Sequence, residues 1–91
     1  VEKISKRLEI QNKLGLHARA AALLVQTVKR FAADVRISKD GQTVDGRSIL
    51  GLLTLEAAQG SKIEVEAAGK EAAAALRAIE SLLDRRFHEV E

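Results

Sequence analysis

Asp34-Val35-Arg36-Ile37-Ser38-Lys39-Asp40-Gly41-Gln42-Thr43-Val44 alternates apolar and polar residues on either side of one Asp-Gly pair. Alternation at a period of two, with Val and Ile on one side, describes a half-buried strand. Asp-Gly suits a two-residue hairpin turn, whose central residues take positive φ. The stretch predicts a β-hairpin with one wet face. Upstream, Leu8 and Ile10 alternate with Arg7, Glu9 and Gln11, a strand over roughly 4–12. Downstream, Ile63, Val65 and Ala67 alternate with Lys62, Glu64 and Glu66. Every strand has one charged face, so the sheet is covered on one side only, as an antiparallel sheet tolerates.

Between the strands the period changes. From Ala18 onward, Ala21, Leu24, Val25, Val28, Phe31 and Ala32 fall on one helical face, with Gln26, Lys29 and Arg30 opposite. Asp45-Gly46-Arg47 ends the hairpin, and Ser48 is a good N-cap for a short helix over Ile49–Leu55, closed by Gln59-Gly60. Gly69-Lys70 leads into a last helix on which Ala72, Leu76, Ile79 and Leu83 share a face. The tail Arg85-Arg86-Phe87-His88-Glu89-Val90-Glu91 is expected to fray. The order β-α-β-β-α-β-α predicts a two-layer α+β sandwich with helices on one face of the sheet. A ferredoxin-like arrangement shares most of that order, and periodicity does not separate the two.

Composition limits the function. The 91 residues, with no Cys, Pro, Met or Trp, are read as one domain spanning 1–91. Much of the apolar content is alanine, so the core is modest and leaves little room for a large buried ligand. The absence of cysteine excludes a disulfide framework and cysteine-based zinc sites, and two distant histidines argue against a metal site. No run approaches the ~18 apolar residues of a membrane span, and no leader is expected, so the address is read as cytoplasmic. Residues 1–47 carry a net +5 and residues 48–91 a net −3. Such a basic half suits an acidic partner. With Phe31 and Phe87 the only aromatics, base-stacking platforms are nearly absent, so nucleic acid is not the expected partner.

The chemistry concentrates at the start of the first helix. Leu16, His17 and Ala18 stand there, with no Ser, Thr, Asp or Asn to cap it. Free N–H groups at a helix start attract anions, with help from the helix dipole. Arg19 follows His17 within the first turn, where a cation is misplaced unless an anion arrives. The same field is expected to keep the His17 ring neutral and nucleophilic near neutral pH. A neutral imidazole that accepts a phosphoryl group gains an anion that caps the helix. The bland alternative is two surface residues at a loop-helix junction with no task.

Ser48-Ile49-Leu50-Gly51-Leu52-Leu53-Thr54-Leu55 is the second feature. Two helical turns cannot bury all five large aliphatics against one sheet, so some, with Leu50 and Leu53 as candidates, are expected to form an exposed docking patch. The alternative is a patch that is simply core under a loop. Ser48 is most simply an N-cap, and a phosphate there is also favoured at a helix start.

Gly15-Leu16-His17-Ala18-Arg19-Ala20-Ala21 resembles the active-site segment of the HPr family, the histidine phosphocarriers of the bacterial sugar phosphotransferase system. Ser48-Ile49-Leu50-Gly51-Leu52-Leu53 resembles that family's regulatory-serine segment, and the resemblance covers essentially the whole chain. It implies an open-faced sandwich with a four-stranded antiparallel sheet ordered 1-4-2-3 and three helices on one side. It also implies that His17 carries a phosphoryl group on Nδ1, received from phospho-enzyme I and passed to an enzyme IIA domain. Arg19 would neutralise the phosphate, while backbone amides at the helix start, Ala18 first, hold its oxygens. Ile49, Leu50 and Leu53 would dock the partners, with Lys29 and Arg19 as a basic rim. Such a carrier is a covalent intermediate without turnover of its own, needs no cofactor and does not enter a membrane; the sequence leaves oligomeric state open, with a monomer as the default expectation. Ser48 would be the substrate of a dedicated ATP-dependent kinase, an HPr kinase/phosphorylase.

One position departs from the family pattern, which has proline after the arginine where this chain has Ala20. Alanine is a good helix former, so the helix is expected to start, with a looser first turn, and His17 to be phosphorylated still. The departure leaves open a second function, a regulatory protein of the same fold that signals by docking. A third, an unrelated ligand- or RNA-binding α+β domain, is disfavoured by the aromatic-poor sheet and small core.

Overall fold

A computed structural model describes residues 3–89. The elements run β1 (Lys3–Glu9), α1 (Ala18–Val28), β2 (Asp34–Lys39), β3 (Gln42–Asp45), α2 (Ile49–Thr54), β4 (Lys62–Ala68) and α3 (Ala72–Asp84), then a single 3-10 turn at Arg86–His88. The sheet order is β1-β4-β2-β3, with every pairing antiparallel. Leu8 stands opposite Ile63, and Ile37 stands opposite both Val65 and Val44, so the apolar side chains line up across one face. Helix α3 packs on β1, β4 and β2, while α1 lies against α3 and α2, and α2 against β3. The result is an open-faced sandwich, which resolves the ambiguity that periodicity left.

The alternation read in the sequence is what buries. Val35, Ile37, Ile63, Val65 and Ala67 are fully covered, while their neighbours Asp34, Arg36, Lys62 and Glu64 face solvent. Asp40 and Gly41 both have positive φ, 50° and 83°, the conformation expected of the Asp-Gly turn. On the edge strand β1, Lys6 occupies a helix-side position between Ile4 and Leu8, and its Nζ reaches Glu80 Oε2 on α3 at 2.6 Å. An inward-leaning charge on an edge strand also blunts edge-to-edge pairing.

Three element ends, and the placing of one turn, differ from the sequence reading. The first strand ends at Glu9, although Ile10 keeps two backbone bonds to the Gly60-Ser61 turn. Helix α1 stops at Val28 because the amides of Arg30 and Phe31 bond three residues back, tightening the last turn. Phe31 is therefore only half-buried and Ala32 is exposed, its carbonyl accepting from the Glu71 amide at 3.0 Å. Helix α2 ends at Thr54, where Glu56 turns left-handed at φ 49°, and the Gln59-Gly60 turn belongs to the start of β4.

The tail is the largest correction. Residues 85–89 do not fray; Val90 and Glu91 lie outside the described residues. Phe87 is completely buried in the core cluster. Arg86, Phe87 and His88 all have positive φ, between 53° and 57°, a conformation that costs L-residues about 1–2 kcal/mol each. Burying Phe87 offsets about 2–3 kcal/mol of that cost, and the hydrogen bonds of Glu89 to the Asn12 side chain and the Leu14 amide tie the turn down further.

Candidate functional site

The loop before α1 is fixed by close contact. Gly15 has φ +70°, and a Cβ there would lie 2.6 Å from the carbonyl oxygen of Ala57. Only glycine meets both demands. The approach lets the Leu16 amide donate to Ala57 at 2.8 Å, tying the loop to the segment after α2. Asn12, fully buried, holds the other side: its Nδ2 donates to the Gly15 carbonyl at 2.7 Å and to Glu89 Oε1 at 3.0 Å. The Leu14 amide donates to Glu89 Oε2 at 3.3 Å.

His17 is the N-cap of α1, with extended backbone at φ −81° and ψ −178°. Its ring does what a capping oxygen does elsewhere: Nδ1 accepts from the Ala20 amide at 3.0 Å. This corrects the reading of an uncapped helix, because imidazole, like a short carboxylate, can present an acceptor to the third amide of the helix. An accepting Nδ1 carries a lone pair and no hydrogen, so the neutral ring has its proton on Nε2. Nε2 faces Glu89 Oε1 at 3.7 Å, and the Glu89 side chain is only 7% exposed. The Glu89 carboxyl is held below its ordinary value by the Asn12 hydrogen bond first, with help from the Leu14 and Lys13 amides and from His17, against the opposing effect of burial.

The predicted residues spread along this surface unequally. Ala18 and Arg19 open α1, and their amides have no carbonyl of a preceding helical turn to bond. Arg19 is exposed, with no ion pair on its guanidinium among the described residues. Lys29 is exposed too, but it caps the far end of α1, ~18 Å from His17 along the helix. Ser48 caps α2, its Oγ accepting from the Gly51 amide at 2.9 Å. Leu50 is 77% exposed and Ile49 40% exposed, while Leu53 is half-buried against the core and Leu52 fully buried. The exposed aliphatics of α2 are thus Ile49 and Leu50, not Leu50 and Leu53. Leu14, 65% exposed, adds an apolar side chain on the His17 loop. It lines a shallow concavity with Leu16, His17, Glu56, Ala57 and Ala58.

Sequence reasoning missed three participants. The Ala20 amide is invisible to a reading that treats alanine only as a lost proline, although proline has no N–H to offer His17. Asn12 falls at the end of the stretch read as the first strand, and nothing in that reading gives its side chain a task. Glu89 had no signal of its own, and the aromatic Phe87 two residues earlier was the hint that the tail docks. No cluster of three potential metal ligands occurs among the described residues, and none of the described helices is long and apolar enough to cross a membrane.

Residues 4–85 match the family described as the PTS HPr component phosphorylation site. The phosphocarrier protein HPr of Neisseria meningitidis serogroup A is 43% identical over 88 residues, covering 97% of this chain and 99% of that protein. The phosphocarrier protein NPr of Shewanella violacea is 41% identical over 87 residues, 96% of each. Among solved structures, HPr of Thermoanaerobacter tengcongensis superposes with a TM-score of 0.89 at 35% identity, covering all of both chains.

Proposed function

The chain belongs to the HPr family of the phosphotransferase system, and from that premise we propose that it carries a phosphoryl group on His17 Nδ1, taken from phospho-enzyme I and given to an enzyme IIA domain. The observation that carries this reading is the Nδ1 lone pair, set at the start of a helix and aimed at the amide of the first turn. The lone pair attacks phosphorus in line, the bond from phosphorus to the donor nitrogen breaks, and its electron pair leaves with the donor. No proton needs to move, because the ring proton already sits on Nε2.

The incoming group brings negative charge to where the backbone is positive. Once Nδ1 is phosphorylated, the Ala20 N–H loses its acceptor and turns to a phosphoryl oxygen, joining the Ala18 and Arg19 amides. Arg19, exposed and without an ion pair among the described residues, supplies a charge-assisted donor. Positioning and neutralisation are most of what phosphoryl transfer asks of a protein, so this sparse set is enough. Ile49, Leu50 and the half-buried Leu53 form the apolar part of the docking surface, with Arg19 and Lys29 as basic contacts for acidic partners. A phosphate placed on Ser48 by a dedicated kinase adds about two negative charges beside Leu50 and weakens that docking.

The site assignment is tested by 15N NMR of the protein charged with enzyme I and phosphoenolpyruvate. Coupling of phosphorus to Nδ1 of His17 supports the reading; phosphorus on Nε2, or on another residue, contradicts it.

A further inference from the structure

A neutral imidazole that takes a phosphoryl group on Nδ1 keeps its proton on Nε2 and becomes an imidazolium, so charging creates a positive charge on the ring. That charge appears on the ring edge away from Nδ1, turned from the amides that receive the phosphate. The group facing that edge is Glu89, with Oε1 3.7 Å from Nε2.

We propose that Glu89 is the counter-ion of the phosphorylated His17 ring, a positioning residue that keeps Nε2 protonated through the transfer cycle. The inference rests on the phosphocarrier reading of His17. Three features fix the carboxylate there. The Asn12 amide bonds both the Glu89 carboxylate and the Gly15 carbonyl, so one buried side chain holds tail and His17 loop in one frame. The Leu14 amide binds the second carboxylate oxygen. Phe87, wholly buried two residues earlier, keeps the tail against the domain. The carboxylate is therefore held in place before the cation forms, which spares the cost of ordering it later.

The other charged groups at the ring are few. Arg19 follows in the first helical turn, on the phosphate side, and Glu56 lines the concavity beside His17 without a hydrogen bond to its loop. Lys13 stands in the loop, exposed. A protonated Nε2 matters to discharge. When the acceptor attacks, the phosphorus–nitrogen bond breaks, its electron pair returns to Nδ1, and the ring leaves as neutral imidazole with hydrogen on Nε2. Had Nε2 lost its proton, the ring would leave as an imidazolate, a far poorer leaving group. Glu89 thus favours the transferable form of the carrier and returns the ring to the tautomer that accepts from Ala20.

The test is the titration of phosphorylated His17, followed by 31P NMR on the full chain charged by enzyme I and phosphoenolpyruvate. Glu89→Gln keeps an oxygen for Asn12 and removes the charge, and Glu56→Gln removes a nearby charge that nothing pins to the ring. The phospho-ring of Glu89→Gln is expected to titrate about half to one pH unit below the parent, with Glu56→Gln shifted much less. Hydrolysis of the phosphohistidine around neutral pH is expected to slow with the same displacement of its pH profile, a change that loosened packing alone does not produce. Coincident titrations of parent and Glu89→Gln, or equal shifts in both variants, overturn the assignment and leave the phosphocarrier reading standing. A parent that takes no phosphoryl group on His17 removes both.

Discussion

The Ala20 amide lies 3.0 Å from His17 Nδ1 and donates to it. The atom on which the proposed chemistry depends is therefore also the cap of the helix that presents it. This couples two properties that a proline at position 20 keeps apart, since proline has no N–H to give. On the proposed mechanism, charging takes Nδ1 from its donor, and the donor then becomes available to the phosphoryl group.

Ala20→Pro tests that coupling. The substitution removes one cap hydrogen bond, worth about 0.5–1.5 kcal/mol. It also restricts the unfolded chain, which returns about 0.4–1 kcal/mol. Thermal unfolding is expected to move little. The 15N spectrum of the neutral ring is expected to change more, with the proton no longer held predominantly on Nε2. An unchanged tautomer ratio contradicts the capping role of Nδ1.

Gly15→Ala is expected to be costly. It forces a Cβ to 2.6 Å from the Ala57 carbonyl and puts a side chain at φ +70°. Strain of that kind costs about 1–3 kcal/mol, read as a lower midpoint in urea unfolding. The Leu16–Ala57 bond is expected to lengthen, so amide exchange at Leu16 should rise by more than exchange in β4.

Much of this molecule is legible in its sequence. The strands are, because Val35, Ile37, Ile63 and Val65 alternate cleanly with charges, and so are both α-helical faces. The site is half legible. His17, Arg19 and Ser48 sit at helix starts, which sequence marks through caps and misplaced charges. Asn12 and Glu89 meet only because the chain closes on itself across 77 positions, and no local pattern announces such a contact. The tail reads as polar and charged, and its order comes from one phenylalanine buried in the core cluster and from the Glu89 bonds to Asn12 and Leu14. Leu53 was misplaced for a related reason: a helix apolar on all sides does not declare which side faces the core.

Phe87→Ala measures the tail anchor. Emptying a fully buried phenylalanine site costs about 3–5 kcal/mol, a large share of the stability of a small domain. Denaturant unfolding is expected to show that loss. Amide exchange at Leu14, whose N–H binds Glu89, is expected to accelerate with it. Stability within 1 kcal/mol of the parent contradicts the docked tail.

Glu89 also sets an acid dependence. Its folded carboxyl titrates below the ordinary value of 4.5, first because of the Asn12 hydrogen bond. The stability it contributes is present in full above the unfolded value and is lost as pH falls through the lower folded value. The difference in stability between parent and Glu89→Gln is thus expected to be constant from neutral pH down to about pH 5 and to shrink at lower pH. Urea midpoints across that range check the sign. A difference that grows on acidification contradicts it.

Ser48 separates capping from regulation. Ser48→Ala removes the bond to the Gly51 amide and is expected to cost about 1 kcal/mol. Ser48→Asp retains a capping oxygen, so its stability is expected to stay near the parent while charging by enzyme I slows, because a negative charge then stands beside Leu50. Equal charging rates in Ser48→Asp and parent contradict a docking role for that surface.

The central claim is that His17 is the carrier residue, and intact mass spectrometry tests it most directly. The parent and His17→Ala are incubated with enzyme I and phosphoenolpyruvate, then with an enzyme IIA domain. One acid-labile phosphoryl group on the parent, absent from His17→Ala and lost when the IIA domain is added, is the predicted result. A parent that stays uncharged, beside another carrier that the same enzyme I charges, contradicts the account.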